Sequence, residues 1–370
     1  MFDGAAVAVT RTNASNALAS GKTAKGVATA KASVKKWSKP TTEFKAPGVK
    51  FDATPLKGQQ KVVWYVPILF AVPIFHAISD SLKSALDKAG VQLQICDGNG
   101  NPADWDKCLS QAVQQGAAGI ILDGFPPDLV AAGLQNAKQN GVPVILGNFQ
   151  YPKPSTDKVA YTSLVVPKVA QLVADWIIAD SNGKANVLIA ETTDSSNNQE
   201  LIHGTMIPRF KKLCPGCVTS VIGTTTADWS VRLGSETANA LLADPGINYF
   251  APEYDGMAPF MTSAAARAGR NDIKVSTFNA NLQQMQDLAA GQFIFANVGA
   301  NIDYLGWAYA DQIMRMLLHV APSQNANVPV RLFTRKNVKN LTITKKAANS
   351  GEWYGNVDYH AEFLKLWGLK

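Results

Sequence analysis

"KVVWYVPILFAVPIFHAISDSLKSALDKAGVQLQIC", residues 61–96, decides the fold class. Its first residues are an apolar, β-branched and aromatic run that reads as a buried strand. Pro67 and Pro73 break the apolar stretch before it could span a bilayer, so the strand is followed by a loop. Phe75, Ile78, Leu82 and Leu86 then recur at the spacing of one helix face. Gly90 is a natural stop, and "VQLQIC" is a second strand. A strand, an amphipathic helix and another strand in close succession read as a parallel pair joined by a crossover helix.

Working outward, the unit repeats. A helix runs through Trp105, Leu109 and Val113, "GIILDG" is a strand, a helix continues to about Asn140, and "VPVILG" is a strand. After a domain change near Tyr161 the alternation restarts. "LVVPKVAQLVADWIIADSNG" is a helix with Leu172, Trp176 and Ile177 on its apolar side, "ANVLIAE" a strand, and "NNQELIHGTMIPRFKKLC" a helix. "VTSVIG", a helix from about Trp229 to Ala243, "INYFAP", "IKVSTF", "QFIFANV", the long helix "YLGWAYADQIMRMLLHV" and "PVRLFTRKNV" complete it. The expected fold class is α/β, with two doubly wound, Rossmann-like lobes. Ligands of such sheets sit beyond the carboxyl ends of the strands.

Of 370 residues, 46% are hydrophobic and 17% charged, which suits a globular chain. The net charge of +7 is concentrated in residues 1–57, which hold ten Lys or Arg against three acids, so the rest of the chain is formally neutral. A basic tail on a neutral body is not the footprint of a nucleic-acid-binding face. The Ala-, Lys-, Thr- and Ser-rich leader shows no helical periodicity before about residue 60 and reads as a flexible tether. It lacks the hydrophobic core of a signal peptide, so an export signal is expected to lie outside these residues. "SGKT" at 20–23 lacks the upstream Gly and preceding strand of a phosphate-binding loop.

Four cysteines remain: Cys96 and Cys108 bracket "DGNGNPADWDK", and Cys214 and Cys217 stand in "CPGC". A zinc site would need both pairs to converge from different lobes, at a spacing unusual for zinc. A redox pair belongs at a helix start, whereas "CPGC" follows "MIPRFKKL" at a helix end. Two local disulfides, Cys96–Cys108 and Cys214–Cys217, are the preferred reading, and they place the protein outside the cytoplasm. Enzyme signatures are thin. There is no G-x-S-x-G elbow and no H-E-x-x-H, and of four histidines only His76 and His203 fall near strand-end loops. Asp123, Asp194 and Asp255 also lie there, in no catalytic spacing. An exported α/β protein without catalytic motifs reads as a binder, with no cofactor or metal.

From about Lys61 to Asn340 the chain resembles the periplasmic binding proteins of the ribose-binding class, the type I solute-binding proteins of ABC importers. The resemblance rests on "VPIFHAISDSLKSALDKAG", "GIILDGFPPDLV", "NAKQNGVPVILGN", "HGTM", "YFAPEYDGMAPFMTSAAARAG" and "NIDYLGWAYADQIM", in that order. It implies two lobes joined by a three-crossing hinge, with a small-molecule ligand held in the cleft and delivered to a membrane permease. The expected boundaries are a leader at 1–57, an N-terminal lobe at 58–161 plus 301–329, a C-terminal lobe at 162–300 plus 330–345, and a tail at 346–370. A monomer without a nucleic-acid partner is expected. The regulators that share this fold would carry an N-terminal helix-turn-helix, which the leader lacks.

By the same resemblance, Phe70, Ile74 and Phe75 fall where stacking aromatics usually stand, and Gly147, Asn148 and Phe149 replace an Asp-Arg pair. His203 replaces an Arg, Trp229 matches a stacking aromatic, Tyr254 and Asp255 replace Asn-Asp, Asn279 replaces an Asp, and Asn301 falls near a late Gln. The expected binding set is therefore Phe70, Phe75, Asn148, His203, Trp229, Tyr254, Asp255, Asn279 and Asn301. Five of them have a plain alternative: core packing for Phe75 and Trp229, an exposed helix position for His203, helix capping for Asp255 and Asn279. Replacing charged groups by Asn, His and Tyr favours a neutral sugar or polyol. An aromatic or partly apolar solute, or an enzyme or signalling receptor on this scaffold, stands as the alternative.

Overall fold

The computed structural model describes residues 4–124, 127–148, 154–163, 166–193 and 200–370. It first corrects the leader. Residues expected to be a tether form helix α1 (Gly4–Trp37). From residue 21 on, its covered positions are Thr23, Gly26, Val27, Ala30, Ser33, Val34 and Trp37, while Lys22, Lys25, Lys31, Lys35 and Lys36 are exposed. That is a helical stripe, but one built mainly of small residues, so its hydrophobic signal is faint. The abundant Ala and Lys are strong helix formers.

The chain divides into two compact lobes: an N-lobe of Pro40–Val165, Ala300–Pro329 and Lys345–Lys370, and a C-lobe of Met1–Lys39, Val166–Gly299 and Val330–Thr344. Changes of lobe are expected at 161/162, 300/301 and 329/330, and these units change at 165/166, 299/300 and 329/330. Two more arise because the leader is shared between lobes and the tail returns to the N-lobe.

In the N-lobe, β1 (Val62–Pro67), α2 (Pro73–Lys88), β2 (Gln92–Ile95), α3 (Pro102–Gln114), β3 (Gly119–Asp123), α4 (Ala131–Gln139), β4 (Val144–Gly147) and β5 (Val159–Thr162) follow in order. They form a five-stranded sheet, β2-β1-β3-β4-β5, with parallel pairing throughout. Strand β5 lies where the sequence suggests only a domain change. Its four residues give the period-2 signal little to work with. The core includes Trp64, Val66, Trp105, Leu109, Ile120, Leu122 and Leu146. The Cys96–Cys108 disulfide is present and ties the exit of β2 to α3.

In the C-lobe, α5 (Val166–Asp180), β6 (Asn186–Thr192), a π-helical turn (Glu200–Met206), α6 (Ile207–Leu213), β7 (Val218–Thr224), α7 (Trp229–Ala243), β8 (Tyr249–Pro252), α8 (Ala258–Arg267), β9 (Lys274–Phe278), α9 (Leu282–Ala290) and β10 (Ile294–Ala300) follow. Strand β11 (Val330–Thr334) completes a six-stranded sheet ordered β11-β10-β9-β8-β6-β7. The Cys214–Cys217 disulfide closes the end of α6. Helix α1 packs on α5 and α6. Gly26 makes that approach possible, because a Cβ there would overlap the Leu213 carbonyl.

The rest of the leader belongs to the N-lobe, where it is clasped with the tail against α10 (Ile302–Leu317). The Thr41 N–H donates to the Tyr354 carbonyl at 2.7 Å, and the Phe51 and Ala53 N–H groups to Leu366 and Trp367 at 2.9 and 2.8 Å. The tail itself folds as α11 (Lys345–Ser350) and α12 (Tyr359–Leu366). Trp367 stacks on Trp307 with ring centroids 5.3 Å apart. Its Nε1–H donates to Asp311 at 2.8 Å, and Asp311 also receives the buried Arg315 guanidinium at 2.8 Å.

Candidate functional site

Every parallel strand delivers its last residue to the same edge of its sheet, so each lobe's strand ends gather one set of side chains. In the N-lobe the register pairs Pro67 with Asp123 and Asp123 with Gly147. Asp123 is fully buried. It accepts hydrogen bonds from Tyr65 Oη at 2.7 Å, Tyr309 Oη at 3.1 Å and Asn148 Nδ2 at 2.8 Å. Burial pushes its carboxyl up to about 6, and those three donors hold it from rising further. Asn148 adopts φ 50°, a left-handed conformation Asn tolerates better than most residues, and its side chain is anchored on Asp123.

Around that anchor sit the expected aromatics. Phe70 is half-buried, its N–H donates to Asp97 Oδ1 at 2.8 Å, and its ring lies 4.0 Å from that of His76. Phe75 is buried in the first turn of α2, and a Cβ on Gly124 would approach its ring to 3.0 Å. Phe75 therefore packs over the end of β3. Asn301 is placed otherwise. Its Oδ1 accepts the Tyr304 N–H at 3.0 Å as the N-cap of α10, and it is buried beneath Gly351 of the tail. Phe149 and Asp194 lie outside the described residues.

In the C-lobe, Asp255 is fully buried after β8. It accepts the Asn281 N–H at 2.8 Å, Asn281 Nδ2 at 2.6 Å and Asn297 Nδ2 at 3.0 Å. Burial raises its carboxyl to about 6, opposed by those amides. Asn297 Oδ1 in turn accepts the Ala280 N–H at 3.0 Å. The network clamps a turn in which Asn279 and Ala280 have φ values of 113° and 55°. Two successive non-glycine residues at positive φ cost strain, and such strain persists where surrounding contacts over-determine it. Asp255 thus supports the turn that presents Asn279.

Trp229 opens α7 and is half-buried beside Tyr254, with ring centroids 5.9 Å apart. Tyr254 meets Phe278 edge-on at 5.2 Å. The Trp229 Nε1–H is buried and has no hydrogen-bond partner among the described residues. His203 sits in the π-helical turn, its Nε2 2.7 Å from Oε2 of the nearly buried Glu191 at the end of β6. The sequence expectation named these aromatics and Asn148 but not the partners of Asp123, Asp255 and His203: Tyr65, Tyr309, Asn281, Asn297 and Glu191. The usable signal was position. Glu191 ends "ANVLIAE" and Asp123 ends "GIILD", both polar residues closing apolar strands.

Chemically, the two fully buried aspartates are occupied by internal donors. Beside them stand Asn148, Phe70 and Phe75 in the N-lobe, and Asn279, Trp229, Tyr254 and the Glu191-paired His203 in the C-lobe. Two parallel α/β lobes with such strand ends define a solute-binding protein of the periplasmic type. The chain belongs to the periplasmic binding protein domain family, whose model matches residues 63–319.

Among curated relatives, the ribose import binding protein RbsB of Escherichia coli is 24% identical over 213 residues, covering 56% of this chain and 68% of the relative. RbsB of Salmonella typhimurium is 22% identical over 251 residues, covering 66% and 81%. Similar solved structures include a 5-methylthioribose transporter solute-binding protein from Thermotoga lettingae. It has a TM-score of 0.70 and 16% identity, covering 82% of this chain and 98% of that one. A Caulobacter myo-inositol binding protein bound to myo-inositol has a TM-score of 0.67 and 21% identity, covering 77% and 97%. At such identities the structural likeness establishes the fold.

Proposed function

We propose that this protein is the extracytoplasmic receptor of an ABC importer, and that it captures a neutral sugar or polyol and hands it to the membrane permease. The observation that carries the reading is the state of Asp123 and Asp255, both fully buried and bound to internal donors. The residues proposed to meet a ligand are Phe70, Phe75 and Asn148 on the N-lobe edge, and His203, Trp229, Tyr254 and Asn279 on the C-lobe edge. Amides donate to and accept from hydroxyls, and aromatic faces stack on the apolar face of a sugar ring. The relatives named for ribose and myo-inositol support the same class, and the two disulfides suit an oxidising compartment. Asp255 and Asn301 serve in this reading as supports.

A second reading, a partly apolar or aromatic solute, is favoured by the cluster of Trp229, Tyr254 and Phe278. A thermal-shift screen across sugars, polyols and small aromatics separates the two. A ligand at a hundred times its dissociation constant adds about 2.7 kcal/mol. Stabilisation by aromatics alone would overturn the sugar reading, and turnover of a bound ligand would overturn the receptor reading.

A further inference from the structure

Helix α1 contributes to a feature outside the segment that the family model matches. Where α1 lies beside β11 there is a groove of about 680 Å3, lined on one side by Lys31 and Lys35 and on the other by Arg335 and Lys336. All four lie outside the matched segment, residues 63–319. The two walls are pinned together through one carbonyl. Ser38 O accepts Arg331 Nε at 3.2 Å and Asn337 Nδ2 at 3.1 Å.

The groove sits at the amino end of β6 and β10, where β11 exits, because Phe295 is the second residue of β10, Asn182 precedes β6 and Arg335 follows β11. Glu191, Asp255 and Asn279 lie at the carboxyl end of the same sheet. The groove is therefore distinct from the C-lobe candidate edge.

Its charge is uncompensated. The carboxylate in the lining, Asp180, is already engaged by Lys274 at 2.8 Å and by Tyr249 Oη at 2.6 Å. Lys31 is held by a neutral group, Asn182 Oδ1, at 2.6 Å. Arg335 is fixed on two sides: its Nε donates to Ile294 O at 3.2 Å, and its guanidinium lies 3.3 Å from the Phe295 ring centroid. Among the described residues no carboxylate pairs with it. Burial lowers its pKa, with no opposing acid. A guanidinium held flat by stacking and by Nε keeps its Nη groups as a fixed fork, the geometry that matches a phosphate or carboxylate.

We infer that this groove, built by α1 and the exit of β11, is a second binding site that takes a phosphate-type oxyanion, with Arg335 as the fork and Lys31, Lys35 and Lys336 as flanking charges. The anion comes either free in solution or as the headgroup of an anionic lipid.

Calorimetric titration of the full chain with pyrophosphate at fixed ionic strength tests the site. Sedimentation with phosphatidylglycerol–phosphatidylcholine vesicles tests the lipid source. The expected result is one saturable site, weakened at least about tenfold by Arg335→Gln and by the double variant Lys35→Gln/Lys336→Gln. The double variant carries the test if Arg335→Gln fails to fold. Lys22→Gln/Lys25→Gln, on the same helix outside the groove, should bind as the parent does. Saturable pyrophosphate binding assigns a free oxyanion, and vesicle binding alone, lost in the groove variants, assigns a headgroup. Absence of both, or an equal loss in the Lys22/Lys25 variant, overturns the proposal, since diffuse helix charge would then suffice.

Discussion

Trp229 has a half-buried ring and a buried N–H with no partner among the described residues. If its indole meets the ligand, Trp229→Ala should weaken binding by roughly 2–4 kcal/mol, a hot-spot magnitude. If it only anchors α7, the variant should melt lower and bind as before. Measuring affinity and melting temperature on one preparation decides. The aspartates make a prediction of opposite character. Both have folded-state carboxyls near pH 6, above the ordinary value of 3.8. The folded state therefore binds more protons between these values. The stability each contributes is fully present below about pH 4 and is lost as pH rises through about 6. The melting temperature of the parent, measured relative to Asp255→Asn, should fall across that window. A flat or rising difference would show that Asp255 is not held as described. These contrasts explain what was legible at this scale. Phe70, Trp229 and Tyr254 stand out because large aromatics in loops or at helix starts are conspicuous. Asp123 was visible only as an acid near a strand end, because its partners Tyr65 and Tyr309 lie 58 and 186 residues away in sequence.

The strands and helices from β1 to β11 were largely legible, because parallel strands covered on both faces read as unbroken apolar runs and their crossover helices keep a clear 3.6 period. Helix α1 was not, because Gly26, Ala30 and Ser33 add little hydrophobicity to its stripe. Gly26→Ala tests its packing. In an exposed helix the change stabilises by about 1 kcal/mol. Here the added methyl meets the Leu213 carbonyl, so a loss of about 1–3 kcal/mol is expected, the range for overpacking. Unchanged or raised stability in denaturant melts would return α1 to the status of a loose tether. The Cys96–Cys108 link closes a 13-residue loop. Replacing both cysteines by serine should cost roughly 3 kcal/mol in the chain-entropy model. Peptide mapping without reductant should recover both pairs, and free thiols in oxidised preparations would refute them.

At the scale of the whole molecule, the leader and tail are parts of the two lobes. Removing residues 345–370 strips Trp367 from Trp307 and Asp311 and leaves the buried face of α10 open. The shortened protein should lose cooperative melting of the N-lobe or aggregate. A shortened chain that melts like the parent would make the clasp ornamental. The clasp also sets the order in which the molecule can be finished. Thr41, Phe51 and Ala53 find their backbone partners in Tyr354, Leu366 and Trp367, so none of these bonds can form until the chain has been made as far as Tyr354. Contacts so distant in sequence slow assembly. Until α12 has been made this clasp stays open, the condition in which a polypeptide can still be threaded through a membrane pore.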